Sequence, residues 1–171
     1  MHTETERKFL VKDSSFKDLA IRSHRIAQGY IAHDGGNTVR VRFKDSTGIL
    51  TIKGPSMDGM SRAEWEKEIS LQDAKDLLTL CHGGIIDKTR YIVPAGAIPG
   101  NTSVIPGPDR ESPLYFEVDE FHGENEGLVM AEIELPSPDT PFEKPSWLGQ
   151  EVTGDRRYYN SYLTRIPFKK W

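Results

Sequence analysis

The sequence predicts a mainly β fold of the α+β class, a closed eight-stranded antiparallel β-barrel with a few flanking helices, and three observations lead there. Segments at roughly 3–11, 24–33, 37–45, 48–54, 62–70, 86–93, 114–121 and 128–135 alternate with the period of two that marks a strand. Tight turns separate several of them, as in Asp34-Gly35-Gly36-Asn37 and Asp45-Ser46-Thr47-Gly48, where Gly, Asn and Asp tolerate the positive φ that hairpins need. Eight strands are enough to close a barrel with room inside for side chains and one small ligand.

Helical signals are fewer. Leu71, Ala74, Leu77, Leu78 and Cys81 fall on one helical face, Ser70 and Asp73 form a capping pair, and Gly83-Gly84 is expected to end that helix. A short helix is expected over 14–21, capped by Ser14, and a terminal one over 155–165, with Asp155 near its start and Pro167 after its end. Between Pro94 and Pro113 prolines and glycines recur without periodicity, so an irregular surface loop is expected there. The 171 residues fit one domain, with no internal repeat.

Charged residues make up 28% of the chain, yet the net charge is only −4, which argues against a nucleic-acid coat or a polybasic membrane surface. The single cysteine, Cys81, excludes an internal disulfide framework and a cysteine-rich zinc site and fits a reducing compartment. No secretory leader or membrane span is legible, so a soluble cytoplasmic protein is expected. The five histidines lack metal-ligand spacing, and there is no P-loop motif.

The charges matter through their placement. Residues two apart on a strand share a face. Same-face sets are Glu4, Glu6 and Lys8; Arg40, Arg42 and Lys44; Arg62, Glu64, Glu66 and Glu68; Lys88 and Arg90; Glu117 and Asp119; Glu132 and Glu134. Between them stand Val39, Val41, Phe43, Trp65, Tyr91, Phe116, Val118 and Ile133, so the other face is apolar. One such strand reads as an ordinary wet sheet face. Six, with acids beside acids and bases beside bases, do not, because like charges two apart repel unless opposite charge lies between them. Barrel closure would turn this face inward, where charges persist only when paired or bound to ions. Clustered carboxylates then call for Mg²⁺ or Mn²⁺, and clustered Arg and Lys for phosphate oxygens.

Taken in order, these motifs resemble the CYTH family of triphosphate tunnel metalloenzymes, over almost the whole chain. The diagnostic Glu-x-Glu-x-Lys is met by Glu4, Glu6 and Lys8, the Arg-x-Arg strand by Arg40 and Arg42, and the following lysine strand by Lys53. Arg62, Glu64 and Glu66 meet Arg-x-Glu-x-Glu, Lys88 to Tyr91 the Lys-Thr-Arg-Tyr element, and Glu117, Asp119, Glu132 and Glu134 the late acidic strands. Glu151 to Tyr158 resembles the entry to the family's C-terminal helix. Gln28-Gly29-Tyr30, Lys88-Thr89-Arg90-Tyr91 and Glu151-Val152-Thr153 are most similar to the bacterial short-chain inorganic triphosphatases; the Pro94–Pro113 loop is longer than the hairpin expected there.

The resemblance implies a barrel that holds a triphosphate in its lumen with divalent metal, Mg²⁺ or Mn²⁺ and two ions. Arg40, Arg42, Lys53, Lys88 and Arg90 are then the expected phosphate contacts, with Arg62 and Arg157 as further ones. Glu4, Glu6, Glu132 and Glu134 are expected to hold metal, with Glu64, Glu66, Glu117 and Asp119 sharing that work. Lys8 and Tyr30 are the expected catalytic groups, and Lys8 is also placed to contact phosphate. The expected reaction is hydrolysis of inorganic tripolyphosphate. The alternatives are a class IV adenylate cyclase, a thiamine or nucleoside triphosphatase, and a non-enzymatic polyphosphate-binding module. The apolar outer wall needs cover from helices or from a second copy, so a homodimer is one expectation.

Overall fold

The computed structural model of the chain describes residues 2–56, 58–97 and 113–171. Among the described residues there are nine strands, β1 (His2–Val11), β2 (Arg22–Asp34), β3 (Asn37–Lys44), β4 (Thr47–Lys53), β5 (Ser61–Ile69), β6 (His82–Pro94), β7 (Tyr115–Phe121), β8 (Val129–Glu134) and β9 (Leu148–Glu151). They lie in the order β5-β4-β3-β2-β6-β7-β8-β1-β9, and a further pairing of β1 with β5 closes eight of them into a ring. Every pairing is antiparallel. The short β9 adds to β1 outside the ring, an extra strand that period-two reading of Leu148–Glu151 does not reveal.

The hairpins form where turn chemistry places them. Gly35 and Gly36 carry φ of 55° and 85° between β2 and β3, and Asp45 takes φ 54° between β3 and β4. Asp45 ties that turn to β2, since its carboxylate accepts from Arg25 N at 3.1 Å.

The principal apolar core lies outside the ring. Phe9, Val93, Phe116, Val118, Ala131 and Ile133 project from the outer faces of β1, β6, β7 and β8, where α1 (Phe16–Leu19) and the segment carrying Trp147 and Leu148 cover them. A second cluster closes one end of the barrel from within. Ile86, Phe121 and Met130 continue the inward rows of Lys88, Asp119 and Glu132, and Leu163 of α3 (Asn160–Leu163) packs on them, with Tyr158 and Phe168 beside it. The outer face of β4 and β5 is less covered: Ile52 and Trp65, register partners, stay 43% and 39% exposed. Among the described residues, no helix is long and apolar enough to cross a membrane.

Three expectations need correction. The helix α2 starts as expected, with Ser70 accepting from Asp73 N at 3.0 Å, but spans only Leu71–Leu78. Gly83 and Gly84 belong to β6 and serve a close approach: Gly84 N donates to Thr164 O at 2.7 Å, and a Cβ on Gly83 would lie 2.8 Å from that oxygen. The expected helix 155–165 is broken into a 3-10 turn (Arg156–Tyr158), an extended Tyr159 and the single turn of α3. The break lets Tyr158 pack on the apolar floor while Tyr159 and Asn160 line the cavity. The helix expected over 14–21 shortens to α1, led by Asp13, whose carboxylate accepts from Ser15 N and Oγ, rather than by a cap from Ser14. Of the expected loop, Pro94 ends β6 and 98–112 lie outside the described residues.

Candidate active site

The ring encloses a cavity of about 660 Å³ whose walls are charged. Fifteen of the expected site residues line it: Lys8 and Tyr30 with the bases Arg40, Arg42, Lys53, Arg62, Lys88 and Arg90, and the acids Glu4, Glu6, Glu64, Glu66, Glu117, Glu132 and Glu134. Asp119 stands directly behind this lining, where both its oxygens take hydrogen bonds from Arg90 and Lys88. Arg157 lies elsewhere. Its guanidinium is on the surface, paired with Asp155 at 2.7 Å and stacked on Tyr158 and Trp171. Its expected role came from the resemblance, and in the 3-10 turn it pairs with its own neighbours outside the cavity lining.

Strand order gives the cavity two chemically distinct walls. β3, which carries Arg40 and Arg42, lies four strands round the ring from β8, which carries Glu132 and Glu134. Beside β8, β1 sets Glu6 opposite Glu134 and Lys8 opposite Glu132. On the basic wall, Arg40 reaches Thr51 Oγ1 and Arg42 reaches Glu66, both at 3.2 Å, yet the buried Nε of each arginine lacks a partner among the described residues. Both arginines line the cavity, where a small rotation of either side chain would offer its N–H to an oxyanion, and a buried N–H gains most from the acceptor it lacks.

Elsewhere acids and bases are tightly interleaved. Lys53 pairs with Glu4 and, at 2.9 Å, with Glu64, and Arg62 approaches Glu4 at 3.8 Å. Lys8 lies 3.0 Å from Glu132 and 3.9 Å from Glu6, with its ammonium over the Tyr159 ring. Arg90 makes a fork to Asp119, pairs with Glu117 and touches Glu132 at 3.4 Å.

This interleaving sorts the titratable groups. Burial works against the charge on Lys8, but Glu132 and Glu6 outweigh it and hold the ammonium above its ordinary value, which leaves it a poor proton acceptor. Burial prevails at Lys88, where Asp119 only partly offsets it and Arg90 adds to it, so its pKa falls to about 8. Burial, then Arg40 and Arg90, bring Arg42 down to about 10, still a cation at neutral pH. Burial disfavours the charge on Glu132 and Asp119, but neighbouring cations hold both below the usual carboxylate range. Glu6 goes the other way: burial and then Glu132 raise it, against Lys8 and Lys53.

The donor set fits a hard divalent cation. The cavity lining carries acids and bases in equal number, seven of each, so a polyphosphate entering alone would add negative charge that nothing balances. A cation beside Glu6 would offset the burial and the Glu132 charge that disfavour its ionised form. Carboxylate oxygens suit Mg²⁺ or Mn²⁺. Among the described residues, no three His, Cys, Asp or Glu are gathered tightly enough to hold an ion as they stand, so carboxylates would have to leave their lysine and arginine partners to do so.

Sequence reasoning missed Thr51, Gln28, Tyr159 and Asn160 as parts of the site. Thr51 is fully buried, bridges Arg40 and Glu66, and sits two residues before Lys53 on the same face, so the period-two rule could have found it. The same rule places Gln28 beside Tyr30. Nothing local announces Asn160, which enters through the break before α3.

The family model described as CYTH domain matches residues 2–161. The chain belongs to the CYTH domain family. Within it, the chain is 44% identical over 172 residues to a protein of Acetivibrio thermocellus named inorganic triphosphatase, covering 100% of this chain and 99% of that one. A Nitrosomonas europaea protein of the same name is 33% identical over 164 residues, covering 94% of this chain and 96% of the relative. Among solved CYTH-like structures, the crystal structure of an inorganic triphosphatase superposes with a TM-score of 0.61 at 30% identity, over 96% of this chain and 95% of that one. The eight-stranded ring with its charged lumen is the triphosphate tunnel fold of these CYTH proteins.

Proposed function

We propose that this CYTH protein hydrolyses inorganic tripolyphosphate to pyrophosphate and phosphate inside the barrel, with Mg²⁺ or Mn²⁺, in two sites, as its metal. The observation that carries this reading is the pair of unpartnered buried Nε donors of Arg40 and Arg42, set across the ring from the carboxylates of β8 and β1. The two relatives named inorganic triphosphatase support it.

Arg40, Arg42, Lys53, Lys88 and Arg90 bind and orient the phosphate chain, with Arg62 at its margin. Glu4, Glu6, Glu132 and Glu134 would hold the metal, with Glu64, Glu66 and Glu117 next to them. Bound there, the metal would neutralise phosphate charge and lower the pKa of the attacking water. Asp119, buried between Lys88 and Arg90, holds these two cations in place rather than facing the lumen. Lys8 stays protonated and neutralises negative charge. Lys88, whose pKa falls to about 8, is suited to give a proton to a departing phosphate.

The test is direct. Purified protein with Mg²⁺ or Mn²⁺ is incubated with tripolyphosphate, ATP or thiamine triphosphate, and phosphate, pyrophosphate and cyclic AMP are followed. Tripolyphosphate as the preferred substrate is the expected result. Cyclic AMP as main product would make it a cyclase, and tight binding without turnover a polyphosphate-binding module.

A further inference from the structure

One buried polar group has no partner and no role in the scheme above. Gln28, on β2, is fully buried, and its Oε1 meets no donor among the described residues. Its amide nitrogen, in contrast, is engaged twice, to Asn160 Oδ1 at 3.2 Å and to the Tyr30 hydroxyl at 3.3 Å. A buried amide that leaves its carbonyl unsatisfied while using both N–H groups is held in that orientation by something stronger.

Lys88 supplies it. An ammonium only donates, and Lys88 Nζ donates to Asp119 at 2.6 Å and to Asn160 Oδ1 at 3.0 Å. Asn160 must therefore turn its carbonyl, not its amide nitrogen, towards Lys88. The same oxygen faces Gln28, so Gln28 must present its NH₂ group there, because a flipped amide would set carbonyl against carbonyl. The remaining N–H of that group points at the Tyr30 oxygen, which thus accepts. The hydroxyl proton of Tyr30 is left for an acceptor on its open side, and Tyr30 lines the cavity.

We propose that Gln28 and Asn160 are positioning residues that aim the Tyr30 hydroxyl proton into the cavity, at a phosphate oxygen of the bound triphosphate. The polarity of the chain runs from the Lys88 ammonium through Asn160 and Gln28 to Tyr30. This rests on the triphosphate reading of the cavity. It also gives the break before α3 a purpose, since an unbroken helix would not deliver Asn160 to this point.

The test is a pair of double-mutant cycles, Gln28→Leu with Tyr30→Phe and Asn160→Leu with Tyr30→Phe. Each protein is titrated with tripolyphosphate by calorimetry in chelator-containing buffer, and kcat and KM are measured with Mg²⁺. Each single variant is expected to bind tripolyphosphate about tenfold more weakly, the loss of one hydrogen bond to a charged acceptor. Each double variant should be no weaker than Tyr30→Phe alone. Losses that add in both cycles, or a Tyr30→Phe protein that binds like wild type, overturn the proposal. Because Gln28 is fully buried, the similarly sized Gln28→Met replaces Gln28→Leu if that variant does not fold, and its cycle decides, since Asn160 also bonds Lys88. A wild type that binds tripolyphosphate without hydrolysing it would overturn the functional reading yet leave the cycles interpretable, whereas a wild type that does not bind it overturns both.

Discussion

Lys8 of β1 and Glu132 of β8 stand opposite each other in the barrel wall, with the ammonium 3.0 Å from the carboxylate and both side chains largely buried. The acidic wall thus carries its own cation, and a divalent ion at Glu132 would compete with Lys8 for the same oxygens. Lys8→Met should leave Glu132 and Glu6 without it and destabilise the metal-free protein by roughly 3–5 kcal/mol, the usual cost of breaking a buried pair. Mn²⁺ should then raise the Tm of the variant more than that of the wild type. Thermal melts with and without Mn²⁺ check this, and equal Mn²⁺ shifts in the two proteins would contradict it.

Glu6 is in the reverse position, since burial and Glu132 disfavour its charge. Glu6→Gln removes that conflict, so the metal-free variant should be more stable than wild type near neutral pH, while metal-dependent turnover is lost. Urea unfolding in chelator and an activity assay with Mg²⁺ are the measurements. A variant that is less stable and fully active would show Glu6 to be an ordinary paired wall residue.

Arg42 tests the basic wall. Arg42→Lys keeps a charge but loses the fork and the unpartnered Nε, so KM for tripolyphosphate should rise roughly tenfold or more with a smaller change in kcat. Arg40→Ala should do at least as much. Unaltered kinetics in both would place the phosphate chain elsewhere in the lumen.

Asp119 sets the acid limit of the fold. It is 1% exposed and serves both Lys88 and Arg90, so Asp119→Asn should cost roughly 3–5 kcal/mol at neutral pH. Its folded-state pKa is lowered because Arg90 and Lys88 outweigh the effect of burial. The stability this contributes is therefore full above the unfolded value of about 3.9 and is lost as pH falls through the lower folded value. The gap between wild type and variant should stay constant from pH 7 to about 5 and narrow only near pH 4 and below. Urea titrations across that range decide it; a gap already closing above pH 5 would assign the effect to another group.

The strands, their inward charges and the apolar outer face were legible because a two-residue period is a local property, written out within each strand. Arg40, Arg42, Glu132 and Glu134 could be placed on one lumen before any pairing was known. What was not legible depends on breaks in regularity. Arg157 was expected at the phosphate from the resemblance, but it lies in a 3-10 turn outside the cavity lining, whereas Asn160, beyond the extended Tyr159, lines it. Glycines at 83 and 84 read as a helix end but serve a backbone contact with Thr164, a partner 80 residues away that no local pattern discloses. The pKa order of Lys8 and Lys88 was equally out of reach, because it depends on cross-strand neighbours at single-ångström resolution.

The pairing of β1 with β5, β8 and β9 has a consequence for how the molecule comes into being. Glu4, Glu6 and Lys8 of β1 leave the ribosome before either strand they pair with in the ring, since β5 lies at Ser61–Ile69 and β8 at Val129–Glu134. Until Val129–Glu134 have emerged, one edge of the nascent sheet has no neighbour and its carboxylates have no lumen to face. Contacts of such long sequence separation fold slowly. The ring is therefore sealed only once β8 has been made, and β1, made before the strands it joins, is among the last to reach its final surroundings.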